Sequence, residues 1–214
     1  MTITFNFFFP LVFLYWTWLT WIFFILLTLA YLFLILGSKD LKKHNFASTK
    51  LLFIIGIILL VWYILERLVI PSISLSSPTP MEIIIAYIYN LFLGFGIVYQ
   101  VLHIILGIGF IKVGSNNREH GGTVILVGGI LYLITWILNM VGNIILLTSA
   151  VFSIPIPFGY ILYVLNWIAY VTMIAAVILI FIFSIFTKRA LFIIFGSLFL
   201  AIYSFQFLLF IGLL

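Results

Sequence analysis

The chain is expected to fold as an all-α polytopic transmembrane bundle of six helices, arranged as three hairpins with both termini outside. Three observations predict this. Of its 214 residues, 67% are hydrophobic and only 6% charged, whereas a soluble domain carries about 25% charged residues. No solvated surface can be assembled from that inventory. Polar punctuation also cuts the chain into six apolar runs, each near or above the roughly 20 residues that a helix needs to cross a bilayer. Finally, Lys and Arg gather in alternate connections. A membrane barrel fits poorly, because barrel strands alternate polar and apolar residues and these runs are apolar on every face.

The elements follow in order. The opening "MTITFNFFFP" has no basic residue, and the apolar run after it exceeds a signal-peptide core of about 7–15 residues. It is expected to be retained and to lead into the first span, residues 11–37. Trp16, Trp18 and Trp21 fall toward the outer end of that span, where an aromatic belt anchors helices at the interface. The loop "SKDLKKHNFASTK" follows. The second span, 51–70, ends at Pro71 in "PSISLSSPTP", since proline cannot continue a helix. The third, 81–113, is stopped by "GSNNREHGG", and the fourth, 123–152, runs into "SIPIPFG". The fifth, 160–187, and the sixth, 191–214, are joined by "KRA" alone. The whole chain is one transmembrane domain with no room for a soluble one.

Orientation comes from the basic residues. Lys39, Lys42, Lys43, Lys50, Lys112, Arg118, Lys188 and Arg189 lie in the first, third and fifth connections; with Asp40 and Glu119 these carry net +6. The other side holds Arg67 against Glu66 and Glu82, net −1. Lys and Arg mark the cytoplasmic side, so three hairpin tips are expected inside a cell membrane. The net charge of +5 is then a topology signal that meets anionic lipid headgroups, not nucleic acid. The tips echo one another ("GSKDLKKH" with "GSNNREH", "KLLFIIG" with "RALFIIFG"), as parallel repeats do in some transporters; chance echo in apolar sequence is the alternative.

The stretch "GIVYQVLHIILG" puts polar residues where hydrocarbon is expected. At 100° per residue, Gly96, Gln100, His103, Gly107 and Gly114 share one stripe. The next span carries Gly121, Gly128, Tyr132, Thr135, Asn139 and Gly142 on another. Folding the hairpin about Asn117 and Arg118 pairs Gly114 with Gly121, Gly107 with Gly128, and His103 with Tyr132. It also pairs Gln100 with Thr135 and Gly96 with Asn139. In lipid, helices associate through close approach at small residues and through interhelical hydrogen bonds worth roughly 0.6–2 kcal/mol. Packing is therefore the first reading of both stripes. Intramembrane polar residues also mark ligand or proton paths, and Gln100, His103, Tyr132, Thr135, Asn139 and Asn166 are the candidates for one.

His103 lies nine residues from Lys112, about 13 Å deep at 1.5 Å per residue. A histidine there could touch haem or a quinone, or relay protons. His44 and His120 are both in loops, so a bis-histidine haem is not available within the chain. Glu66, Arg67 and Glu82 read as an outer-surface cluster, with a cation or proton entrance as the alternative. Tyr163, Asn166, Tyr170, Met173 and Ser184 line one side of the fifth span, either as its packing face or as part of a polar centre.

The absence of cysteine excludes disulfides and thiolate chemistry. No HExxH, paired intramembrane carboxylate, phosphate loop or nucleophile elbow occurs. No catalysis, metal or cofactor is expected. Around "LGIGFIKVGSNNREHGGTVILVGGILYLI", one hairpin of about 30 residues, the chain resembles archaeal polytopic membrane proteins grouped as a family of unknown function. That resemblance implies a multi-pass helical protein and no activity. The expected role is packing and binding, as an accessory or scaffold subunit beside other membrane subunits. The alternatives are a small carrier or channel with a path between spans three, four and five, and a respiratory subunit touching quinone or haem through His103.

Overall fold

The computed structural model describes residues 17–69, 97–152 and 159–212. Among them stand six α-helices: α1 (Thr17–Lys43), α2 (Thr49–Val69), α3 (Ile97–Asn116), α4 (Gly122–Phe152), α5 (Gly159–Phe186) and α6 (Ala190–Phe210). A short 3₁₀ turn, Arg118–His120, joins α3 to α4. Five helices have described stretches long and apolar enough to cross a membrane, and α2 adds a shorter apolar stretch, Thr49–Leu65. This is a multi-pass helical bundle. Each helix packs against its neighbours in the chain, and α1 closes on α6, so the six form a ring.

The outer faces are aliphatic. On α1 Ile22, Ile25, Leu29, Leu32 and Leu36 are exposed, and on α2 Ile54, Ile57, Ile58, Val61 and Leu65. That three-and-four spacing is one helical stripe, and hydrocarbon is the solvent that suits it. Inside, the ring is filled by aromatic side chains. Tyr31, Phe110, Tyr132, Trp136, Phe183, Phe192, Phe195 and Phe199 are all fully buried. Phe195 stacks toward Phe199 at 5.1 Å, and Phe199 meets Tyr203 edge-on at 4.8 Å.

α1 runs six residues past the expected stop at Gly37. Gly37 is a point of close approach: a Cβ there would lie 3.0 Å from the Phe192 Cα on α6. The stop is Asn45 instead, left-handed at φ 64°. The Phe46 N–H bonds the Leu41 carbonyl at 3.1 Å and the Asn45 N–H bonds that of Lys42 at 3.3 Å. These are the two bonds of a Schellman motif, in which asparagine can stand for the usual glycine.

The α3–α4 register also departs from the expected one. A Cβ on Gly107 would meet Leu133, one on Gly129 would meet Ile111 and Phe110, and one on Gly114 would meet Leu126 and Gly122. Facing positions are thus shifted by about one turn from the sequence-based pairing. Gly128 turns away to α5, toward Leu179 and the Ala176 carbonyl, and Gly121 faces Phe186. Gly142 is buried on α4. Gly96 and Glu82, and the side chains of Glu66 and Arg67, lie outside what is described.

The three tips meet at the basic end. Asn117 accepts from the Ala47 N–H at 2.9 Å and donates to the Ala47 carbonyl at 3.1 Å. Its amide also donates to the Val113 carbonyl at 2.6 Å. Phe46 packs on His120 at 5.3 Å and edge-on to Phe183 at 6.4 Å. One asparagine and one phenylalanine therefore tie the first tip to the other two hairpins.

Candidate functional site: a tyrosine–histidine centre

The helix pattern of α3 places Tyr99 and His103 one turn apart, and that of α4 does the same for Tyr132 and Trp136. Packing the two helices brings these four side chains together. The His103 ring stacks on Trp136 at 4.0 Å with 11° between planes, and Tyr99 lies edge-on to it at 4.4 Å. Nδ1 of His103 is hydrogen-bonded to the Tyr132 hydroxyl. On the other side α1 supplies Tyr31, whose hydroxyl lies 3.1 Å from Nε2 of His103 and 2.8 Å from the Tyr99 hydroxyl. Tyr203 on α6 stands nearby, edge-on to Phe199 at 4.8 Å, and Phe199 in turn lies 5.7 Å from the Tyr132 ring. A continuous chain of hydroxyls and one imidazole thus joins α1, α3 and α4.

His103 is 0% exposed, and both of its nitrogens face tyrosine hydroxyls. A lone pair for an iron would be freed only by breaking one of these bonds. Among the described residues no group of three His, Cys, Asp or Glu side chains could hold a metal ion. The arrangement is suited to transmitting proton order along hydrogen bonds and to locking helices together.

The other predicted residues fall into two sets. Thr135, instead of meeting Gln100, meets Thr172 of α5 at 2.8 Å, each hydroxyl also turned to its own helix's carbonyls. Thr135 and Asn139 line a small cavity with Tyr170, Met173 and Tyr203. It has room for about one water molecule. Gln100 is 0% exposed, and neither polar atom of its amide has a hydrogen-bond partner. The His103–Trp136 stack fixes its level: one turn further along each antiparallel helix puts Gln100 opposite Asn139. Asn166 is buried nearer the start of α5, its Oδ1 without a partner. Tyr163, expected on the same side as Asn166, is half exposed. Met173 is buried, and Ser184 packs at Gly196 of α6.

Sequence reasoning missed Tyr31, Tyr99, Trp136 and Tyr203 as members of this centre. Tyr99 and Trp136 had a signal, each four residues from a residue singled out on the same helix. Tyr31 and Tyr203 had none, since their runs are apolar on every face. No protein-family model, curated protein or solved structure matches this chain.

Proposed function

We propose that this protein is an accessory or scaffold subunit of a membrane protein complex, acting by packing and binding and not by catalysis. The observation that carries the reading is the filled centre of the ring. His103, buried at the centre of the bundle, is bonded at both nitrogens and stacked on an indole. Among the described residues, the cavity lined by Thr135, Asn139, Tyr170 and Tyr203 takes about one water, far less than a solute path requires. A carrier with its path between α3, α4 and α5 would need those helices to part along this seam. In the proposed setting the ring stands in the cell membrane with its basic tips cytoplasmic, beside anionic lipid headgroups, and its aliphatic outer stripes face lipid and neighbouring subunits.

Extraction from the native membrane in mild detergent, followed by native mass spectrometry, tests the reading. The expected result is a fixed stoichiometric assembly with other membrane subunits. The purified chain, reconstituted alone in vesicles, should carry no ion or solute flux. A homogeneous monomer that catalyses flux would overturn the reading in favour of the carrier.

A further inference from the structure

The chain has two glutamines, Gln100 and Gln206, and both are buried. They stand on α3 and α6, which face each other across the ring and run in opposite directions. Phe110 of α3 stacks on Phe195 of α6 at 6.3 Å. Gln100 lies ten residues from Phe110 and Gln206 eleven from Phe195, so each is about 15–17 Å further from the basic tips at 1.5 Å per residue. A second contact gives the same level. Tyr132 of α4 meets Phe199 of α6 at 5.7 Å, and seven residues further along these parallel helices come Asn139 and Gln206. The His103–Trp136 stack sets Gln100 opposite Asn139. Three carboxamides from three helices therefore share one layer. Asn166, buried on α5 one turn beyond Tyr170, adds a fourth slightly further from the tips.

These amides are short of partners. Among the described residues, neither polar atom of the Gln100 amide, nor Oε1 of Gln206, nor Oδ1 of Asn166 makes a hydrogen bond. A buried amide left unpaired is costly, and buried polar groups in folded proteins are satisfied by protein or by ordered water. Toward the tips the core changes character: Phe110, Phe183, Phe192 and Phe195 are fully buried and ask for no partner. Space lies at the layer itself, where Asn139 borders a cavity with Tyr170 and Tyr203 that has room for about one water. None of the four side chains is charged, and three of the four unpaired atoms are acceptors. An ion would bring an uncompensated charge into the core. Water donates twice, accepts as well, and brings none.

We propose that the carboxamide layer is a hydrated inlet, reached by water from the end away from the basic tips. Water bridges Gln100, Gln206, Asn139 and Asn166 there and goes no further than the tyrosine–histidine centre. Asn166 marks the open side, and the phenylalanine-filled half of the core closes the other. The inlet is therefore one-ended and carries no flux. The inference is independent of the scaffold reading, because it concerns what wets the core and not what the bundle assembles with.

Water-edited solid-state NMR of the full chain in lipid bilayers, isotope-labelled at the glutamine side-chain amides alone, tests it. The two glutamines give two amide signals, and magnetisation from water should reach both at short mixing times. Thiol accessibility gives an independent reading in this cysteine-free chain. Gln206→Cys should react with a small thiol reagent at least about tenfold faster than Phe195→Cys, because a thiol in apolar surroundings forms little of the reactive thiolate. Phe195→Cys vacates the larger space, so hydration caused by the substitution itself would favour that variant instead. A wild-type spectrum in which either glutamine amide is dry would overturn the proposal without any variant. Equal rates for the two cysteines, or a faster Phe195→Cys, would overturn it as well.

Discussion

Gly114 and Gly109 sit on the same helix and would receive the same methyl group, yet the structure predicts opposite outcomes. Glycine to alanine in a helix gains about 1 kcal/mol from backbone propensity at either position. At Gly114 the new Cβ would fall 2.5 Å from the Leu126 nitrogen, 2.6 Å from the Gly122 oxygen and 2.7 Å from the Leu126 Cα. All three are backbone atoms of α4 and cannot rotate away. Restoring ordinary contact of about 3.5 Å requires the helices to part by about 1 Å at this level. Overpacking of this kind costs about 1–3 kcal/mol, and the separation also loosens Gly107 against Leu133 further along the seam. Net destabilisation of about 1–2 kcal/mol is expected. At Gly109 the Cβ would meet the tip of Leu52 at 2.7 Å, with its next neighbours at 3.6 and 3.8 Å. A leucine tip can turn, so Gly109→Ala should stay within about 0.5 kcal/mol of wild type, on the stabilising side. Unfolding by SDS in mixed micelles, followed by tryptophan fluorescence, measures both variants. Equal effects, or a stabilised Gly114→Ala, would refute the α3–α4 seam.

Further outcomes follow from the same contacts. Asn117→Leu removes the two bonds to Ala47 and the one to Val113; it should cost about 2 kcal/mol and speed hydrogen exchange at the Ala47 amide. His103→Leu removes the bonds to Tyr31 and Tyr132 and should cost about 2 kcal/mol, against about 1 for His103→Gln, which keeps a bond; detergent unfolding reads both, and equal costs would mean that the hydrogen bonds contribute nothing. Ser115 and Tyr160 are exposed at opposite ends of the bundle. Cysteines placed there should label from opposite sides with an impermeant thiol reagent, Ser115→Cys from the cytoplasm, and same-side labelling would contradict the topology.

Much of the fold was legible because the bilayer restricts what polar residues can do. Among the described residues, glycine and charge clusters placed the helix ends at the basic tips within a few residues, except at Gly37, where the glycine serves α6 and the chain ends its helix at Asn45. The expected starts of the first and third spans and the ends marked by proline lie outside the described residues. The meeting of His103 with Tyr132 was also legible, from two polar stripes with matching spacing. The register around it was not. Two glycine pairs, Gly121–Gly122 and Gly128–Gly129, each offer two candidates for the seam, and the pivot of the turn decides between them. The 3₁₀ turn at Arg118–His120 and the left-handed Gly121, φ 76°, move that pivot toward Glu119, so Gly129 and not Gly128 faces α3. The partners of Thr135 and Gln100 shifted with it. Tyr31 and the closure of α1 on α6 were hidden for another reason: a helix apolar all round does not say which face is inward.

That closure seals the ring, and the account depends on it most. Phe23 on α1 and Phe205 on α6 have ring centroids 5.3 Å apart, and the chain has no cysteine of its own. The decisive measurement is thiol cross-linking of the Phe23→Cys/Phe205→Cys double variant in lipid bilayers with a short bifunctional reagent. A sealed ring predicts a high-yield bridge within single chains, absent from either single variant. No bridge, or bridges only between chains, would contradict the closed bundle and with it the reading of a filled, non-conducting centre.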